Sequence, residues 1–160
     1  MSPAGVDAAV FRGLLGRFAT GVAVVTTRTP DGTPIGMTAS SLASVSLEPP
    51  LVSVCIDHAA AIHRAILAAP AFVINILEES QEAISRRFAA EHPDRFDGIG
   101  YRAGDHGLLL LDDAHAWIEC TRHQLVEAGD HTIVIGRVTG GAAGQGRPLL
   151  YYRGGYGALG

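Results

Sequence analysis

"AHAWIECTRHQLVEAGDHTIVIGRVTGG", residues 114–141, holds the two longest strand candidates of the chain. They meet so tightly around Gly129-Asp130 that a β-hairpin is the natural reading. Strands joined by tight turns cannot build a parallel doubly wound sheet, because each parallel connection needs a dozen or more residues. The rest of the chain repeats the pattern. "GVAVVTTRT" is β-branched and ends at the turn signal Pro30-Asp31-Gly32, which predicts a hairpin with residues 34–47. "LVSVCID" and "AFVINIL" read as further strands, and "RPLLYYRGGYG" as the last one.

Three short helices fit between them. Residues 7–18 place Val10, Phe11, Leu14, Leu15 and Phe18 at helical spacing behind a candidate N-cap, Asp7. "AAAIHRAILAA" precedes Pro70, and "SQEAISRRFAAEH" has Ser80 as its expected cap and Pro93 as its stop. About seven strands with hairpin links predict a mainly β fold: one closed antiparallel barrel with short helices capping its ends.

The bulk numbers agree with one domain over residues 1–160, large enough to bury about 70% of its unfolded surface. The sequence is 48% hydrophobic and 18% charged, with no low-complexity tract or long-period repeat. Twelve Lys and Arg against sixteen Asp and Glu give a net charge of −4, and the cations are scattered, so a nucleic-acid surface is not expected. No apolar run is long enough to span a membrane, and the N-terminus lacks a signal-peptide layout; a cytoplasmic protein is the expectation.

Several chemistries lack their residues. There is no nucleophile elbow, Walker loop or Rossmann glycine pattern. Cys55 and Cys120 lie in apolar runs and read as buried free thiols. Seven histidines carry no metal-ligand spacing, His58 and His63 being five apart, so no metal is expected. Two Gly-Asp-His tripeptides remain. Gly104-Asp105-His106 reads as a solvated turn, whereas His131 of the second begins a strand and sits at a rim.

One further stretch is unusual. "PIGMTASSLASVSLEPPLVSV", residues 34–54, spends eight positions on very small side chains. Either backbone must approach backbone here, or a flat ligand must approach backbone, with Thr38, Ser40 or Ser41 hydroxyls as extra donors. A flavin suits the second option, and the helix that follows "LVSVCID" offers its N-terminal amides to an anion.

The order of "FRGLLGRFATGVAVVTT", "GMTASSLASVSLEPPLVSV", "FVINIL", "RRFA", "RFDG", "GDHTIVIGRV" and "PLLYYRGGYG" resembles the flavin reductase family over about residues 10–157. These are small NAD(P)H:flavin oxidoreductases that feed reduced flavin to two-component monooxygenases. The resemblance implies the FMN-binding split barrel, a homodimer with flavin near the subunit interface, FMN or FAD as flavin, and NADH or NADPH as reductant.

It also implies site residues. Gly36, Met37, Thr38, Ala39, Ser40 and Ser41 would line the flavin ring, while Cys55, Ile56, Asp57 and Ala61 would flank the ribityl chain and phosphate. Relatives carry hydroxyls and a basic residue where this chain has Ala59, Ala60 and Ala61, so His63, Arg64 or helix-end amides would hold the phosphate. Arg87, Phe88 and Ala89 would close over the flavin tail. His131 would stand beside the nicotinamide, and Tyr151, Tyr152, Arg153 and Gly154 would help seat the pyridine nucleotide. The competing expectation is a non-catalytic flavin-binding electron carrier on the same barrel.

Overall fold

The hairpin around Gly129-Asp130 forms, and its strands, Ala116–Ala128 and His131–Ala143, pair antiparallel along their full length. The computed structural model describes residues 4–90 and 95–160; Pro93, expected to end the third helix, lies outside them. In chain order the elements are α1 (Ala8–Leu15), β1 (Thr20–Gly21), β2 (Ala23–Arg28), β3 (Pro34–Ala39), β4 (Ala43–Ser46), β5 (Leu51–Asp57), α2 (Ala61–Ala68), β6 (Ala71–Ile76), α3 (Glu82–Ala89), β7 (Tyr101–Ala103), β8 (Leu109–Leu111), β9 (Ala116–Ala128), β10 (His131–Ala143), β11 (Leu150–Tyr152) and β12 (Gly155–Gly157).

The chain is mainly β with antiparallel pairing, but the expectation of one closed sheet is corrected. Seven strands form a sheet in the order β3-β2-β6-β9-β10-β5-β4, while β1-β11-β12 and β7-β8 are separate. The stretch 34–47 is likewise two strands rather than one. Strand β3 pairs with β2 and forms one edge of the large sheet; β4 pairs with β5 and forms the other.

That arrangement has a geometric consequence. Only Ser40, Ser41 and Leu42 separate β3 from β4, and four Cα steps reach at most about 15 Å. The edges of a flat seven-stranded sheet would stand about 29 Å apart. The sheet is therefore rolled until its two unpaired edges nearly meet.

Strand β2 explains why "VAVV" is continuous rather than alternating. Ala23 and Val25 face the interior of the roll with Ile56, Ile62, Ile66, Phe72 and Val134. Val22 and Val24 face outward into a second cluster with Leu77, Phe88 and Leu149. A strand covered on both faces needs no polar side. Ile62 and Ile66 show that α2 plugs the roll, while Phe88 anchors α3 against its outside.

One buried polar residue ties the layers together. The Asn75 amide donates to the Val24 carbonyl at 2.9 Å and accepts the Leu111 N–H at 2.9 Å, which fixes β8 over β2 and β6. Every polar atom of that amide must find such a partner, since it is fully buried.

Asp7 caps α1 by accepting the Val10 N–H at 2.9 Å, as the sequence predicts. Ser80, in contrast, is not the cap of the third helix. Glu78 accepts the Ser80 N–H and Gln81 returns to the Glu78 N–H, a capping box that opens a 3-10 turn over Glu79–Gln81 before α3 begins. "RPLLYYRGGYG" is also a hairpin rather than one strand. Arg153 and Gly154 carry φ of 51° and 79° at its two-residue turn, the conformation that type I′ hairpins require.

Candidate active site

Strand β3 runs from one large cleft into another. The first, about 930 Å³, lies between residues 34–38, the turn Asp57 and Ala59–Ala61, and Phe88, Ala89 and Arg95 on and after α3. The second, about 840 Å³, is walled by α1, by Ala39–Ala43 and by Tyr151, Arg153 and Gly154. Its surface is mostly apolar. Volumes of this size suit a small organic ligand.

The wall contributed by β3 is an edge strand. Alternate residues of an antiparallel strand point their N–H and C=O groups the same way. The Gly36 carbonyl points away from β2, since it accepts from Arg95 Nη1 at 2.8 Å. Thr38, two residues on, directs its main-chain groups to that same open side. The first cleft thus offers main-chain donors and acceptors along its floor.

The small side chains answer two different needs. A Cβ added at Gly36 would lie 2.9 Å from Phe88 Cε1, so glycine here admits an aromatic ring of the protein itself. Ser41 Oγ accepts the Cys55 N–H at 2.9 Å and is committed to β5. The Thr38 hydroxyl donates to the Ser85 carbonyl at 2.6 Å, which leaves it only as an acceptor. Both hydroxyls, expected as free ligand donors, serve the fold; Ser40 alone is exposed and without such a bond among the described residues.

The other expected residues divide. Gly36, Met37, Thr38, Asp57, Ala61, Phe88 and Ala89 border the first cleft. Ala39, Ser40, Ser41, Tyr151, Arg153 and Gly154 border the second. Ile56 is fully buried in the roll, with its main chain paired to Thr132, and has no surface to offer. Cys55 is half-buried rather than buried, and its amide is held by Ser41. His63 turns to Thr132, with Nε2 2.8 Å from Oγ1, instead of facing either cleft. Arg64 and Tyr152 are exposed and border neither. Arg87 donates through Nε to the Arg95 carbonyl at 2.8 Å and so supports the cleft wall from behind.

His131 opens β10 at the rim but borders neither cleft. It is opposite Asp57 across the β5–β10 pair, and its Nδ1 lies 2.7 Å from Asp130 Oδ1. That hydrogen bond, followed by the histidine's charge, holds the Asp130 carboxyl below its ordinary range. Burial pushes the Cys120 thiol up to about 12, which removes it as a nucleophile.

Arg95 escaped the sequence reading although "RFDG" contains it. Its guanidinium spans from the Ala90 carbonyl, 2.7 Å from Nε, to the Gly36 carbonyl. Among the described residues it is the cation that lines the first cleft, and only the fold brings it across 59 residues to β3.

Residues 15–160 match the flavin reductase like domain family. A probable flavin reductase of Rhizobium meliloti (strain 1021) is 43% identical over 94% of this chain, which spans about half of that relative's length (48%). The reductase subunit HsaB of a flavin-dependent monooxygenase from Mycobacterium tuberculosis (strain CDC 1551 / Oshkosh) is 40% identical, over 94% of this chain and 82% of HsaB. The solved NADH:FAD oxidoreductase SgcE6 of Streptomyces globisporus C-1027, in complex with NAD and FAD fragments, superposes with a TM-score of 0.91 at 38% identity. That superposition covers 96% of this chain and 93% of SgcE6.

Proposed function

The chain belongs to the flavin reductase like domain family, and on that premise we propose that it reduces a flavin, FMN or FAD, with NADH or NADPH. The reduced flavin would supply a flavin-dependent monooxygenase, the role that HsaB's name gives that relative. The rolled sheet with its edges left unpaired supports the split-barrel form of the fold.

One observation carries the reading: an edge strand presents outward-facing main-chain groups on the floor of a cleft whose cation is Arg95. A flavin ring edge needs such donors, and its phosphate needs such a charge. The start of α2 adds to this. Ala60 caps the helix without any side-chain bond, and Ala60 and Ala61 border the same cleft; the His63 N–H turns back to the Ala60 carbonyl at 3.0 Å, which leaves the Ala61 and Ile62 amides for an anion. The alanines at 59–61 thus leave the phosphate to main chain and Arg95.

A bound flavin and pyridine nucleotide would themselves supply the chemistry, hydride transfer from nicotinamide C4 to flavin N5. The protein's part is to hold and orient. Asp130 holds the His131 ring through Nδ1, so Nε2 would be the nitrogen left for a pyridine nucleotide. Tyr151, Arg153 and Gly154 wall the adjoining cleft. A second copy of the chain would complete that cleft. None of the α1 residues is buried, and Phe11, Leu14 and Leu15 are each more than half exposed beside it. Among the described residues no helix is long and apolar enough to cross a membrane.

The test is consumption of NADH or NADPH by the purified chain with excess FMN, FAD or riboflavin, followed by the near-ultraviolet absorbance of the reduced nicotinamide. Many turnovers that depend on added flavin are expected. Flavin binding without nicotinamide consumption would overturn the reductase reading in favour of a carrier.

A further inference from the structure

His58, His63 and Glu127 converge outside both clefts, and nothing in the proposed reaction uses them together. His58 lies in the turn after β5, His63 in α2 and Glu127 on β9, 69 residues from His58. One ligand atom of each lies within 4.8 Å of the other two. We propose that these three side chains form a binding site for a divalent transition-metal ion of the zinc class.

The donor set selects the ion. Two imidazoles and one carboxylate suit Zn²⁺, Ni²⁺ or Cu²⁺, whereas Mg²⁺ and Ca²⁺ prefer oxygen alone. Two atoms bound to one zinc stand no more than about 4.4 Å apart, so a modest side-chain adjustment closes the set. His58 Nε2 and Glu127 Oε2 are already 2.7 Å apart, and the ion would replace the proton shared between them. The two imidazole rings meet edge to face with centroids 5.0 Å apart. His58 and Glu127 side chains are 40% and 65% exposed, which leaves a path for the ion and a position for water.

A supporting residue is in place. Thr132 donates its hydroxyl proton to Glu127 Oε1 at 2.8 Å, so its 2.8 Å contact with His63 Nε2 must be one in which the imidazole donates. Thr132 therefore orients both a histidine and the carboxylate, as outer-shell partners of metal ligands do.

The experiment uses the full chain, stripped with a chelator and titrated with ZnCl₂ against a chromophoric competitor. One saturable ion per chain is expected. Glu127→Gln, which keeps the oxygen that Thr132 needs, and His58→Ala should each weaken zinc binding about tenfold or more. His123→Ala, on the same strand, should leave it unchanged. Co²⁺ in place of zinc should give d–d absorption bands that His58→Ala abolishes. Absence of saturable zinc binding, or equal affinity in Glu127→Gln, His58→Ala and the parent, overturns the proposal.

Discussion

The Cys55 main-chain N–H donates to the Ser41 hydroxyl at 2.9 Å, and that hydroxyl lies 3.4 Å from the Cys55 carbonyl. Ala43 pairs with Ser53, so the same register continued back along the chain sets Ser41 opposite Cys55. The side chain thus takes over where the β4–β5 ladder stops. Ser41→Ala leaves a partly buried N–H without its partner and should cost about 1–2 kcal/mol in urea unfolding, with Ser41→Thr retaining most of that. Equal stability of the alanine variant would mean the clamp contributes nothing.

Gly36→Ala drives a methyl to 2.9 Å from Phe88 Cε1 and 3.2 Å from the Val25 carbonyl. Overpacking of this kind costs about 1–3 kcal/mol. Shrinking the ring in a Gly36→Ala/Phe88→Leu double variant should recover part of the loss relative to the sum of the single changes, as read by thermal unfolding. Strict additivity would show that the ring is not what requires glycine.

Arg95→Gln removes the cleft's cation but keeps a hydrogen-bonding group. FMN affinity should fall about tenfold or more, in line with 1.5–3 kcal/mol for a charged hydrogen bond, while riboflavin affinity stays nearly level. Fluorescence titration with both ligands separates loss of phosphate binding from general damage to the cleft. Parallel losses would place the phosphate elsewhere.

Phe11→Glu or Leu14→Glu puts a charge on the exposed apolar face of α1. Because neither side chain is buried, circular dichroism should show an intact fold, while sedimentation should shift to monomer from the dimer proposed for the parent chain. A variant that stays dimeric at low concentration would move the interface away from this helix.

Glu127 and Asp130 both titrate below their ordinary range, Glu127 because Thr132 and His58 donate to it and Asp130 because His131 does. A carboxyl with a depressed folded pKa stabilises the fold above its unfolded value and loses that contribution as pH falls through the folded one. The melting temperature should therefore decline from about pH 4 downward, near the unfolded carboxylate values. The Glu127→Gln/Asp130→Asn pair should flatten that acid slope.

Hairpins and turns were legible because their signals are local. Gly129-Asp130 and Pro30-Asp31-Gly32 each name a turn, and both form between paired strands. Hydrophobic spacing likewise found α1 and its Asp7 cap. What failed depends on distant partners. No local feature says that β3 and β4 part to opposite edges, because the pairing of β4 with β5 decides it. Small residues at 36–41 signalled close approach correctly, but not that Phe88 and Cys55 are two of the groups approached. Arg95 sits in a quoted motif, yet its place over Gly36 depends on how α3 packs. Ser80 is of a commoner cap type than Glu78, yet the Glu78 and Gln81 pair closes the capping box.

Strands β3 and β4, "PIGMTA" and "ASVS", contain no charged residue. Sheets usually guard such rims with charge, proline or a bulge, since bare main-chain groups invite a foreign strand; here Pro34 opens β3 and a register shift interrupts β4 between Ser44 and Ser46, but neither rim carries a charge. Here the rims are drawn together by three residues of chain, and Arg95 occupies a carbonyl on one of them. Proline and bulge aside, protection against aggregation in this molecule is a matter of shape, and any change that lets the roll spring open uncovers two uncharged borders at once.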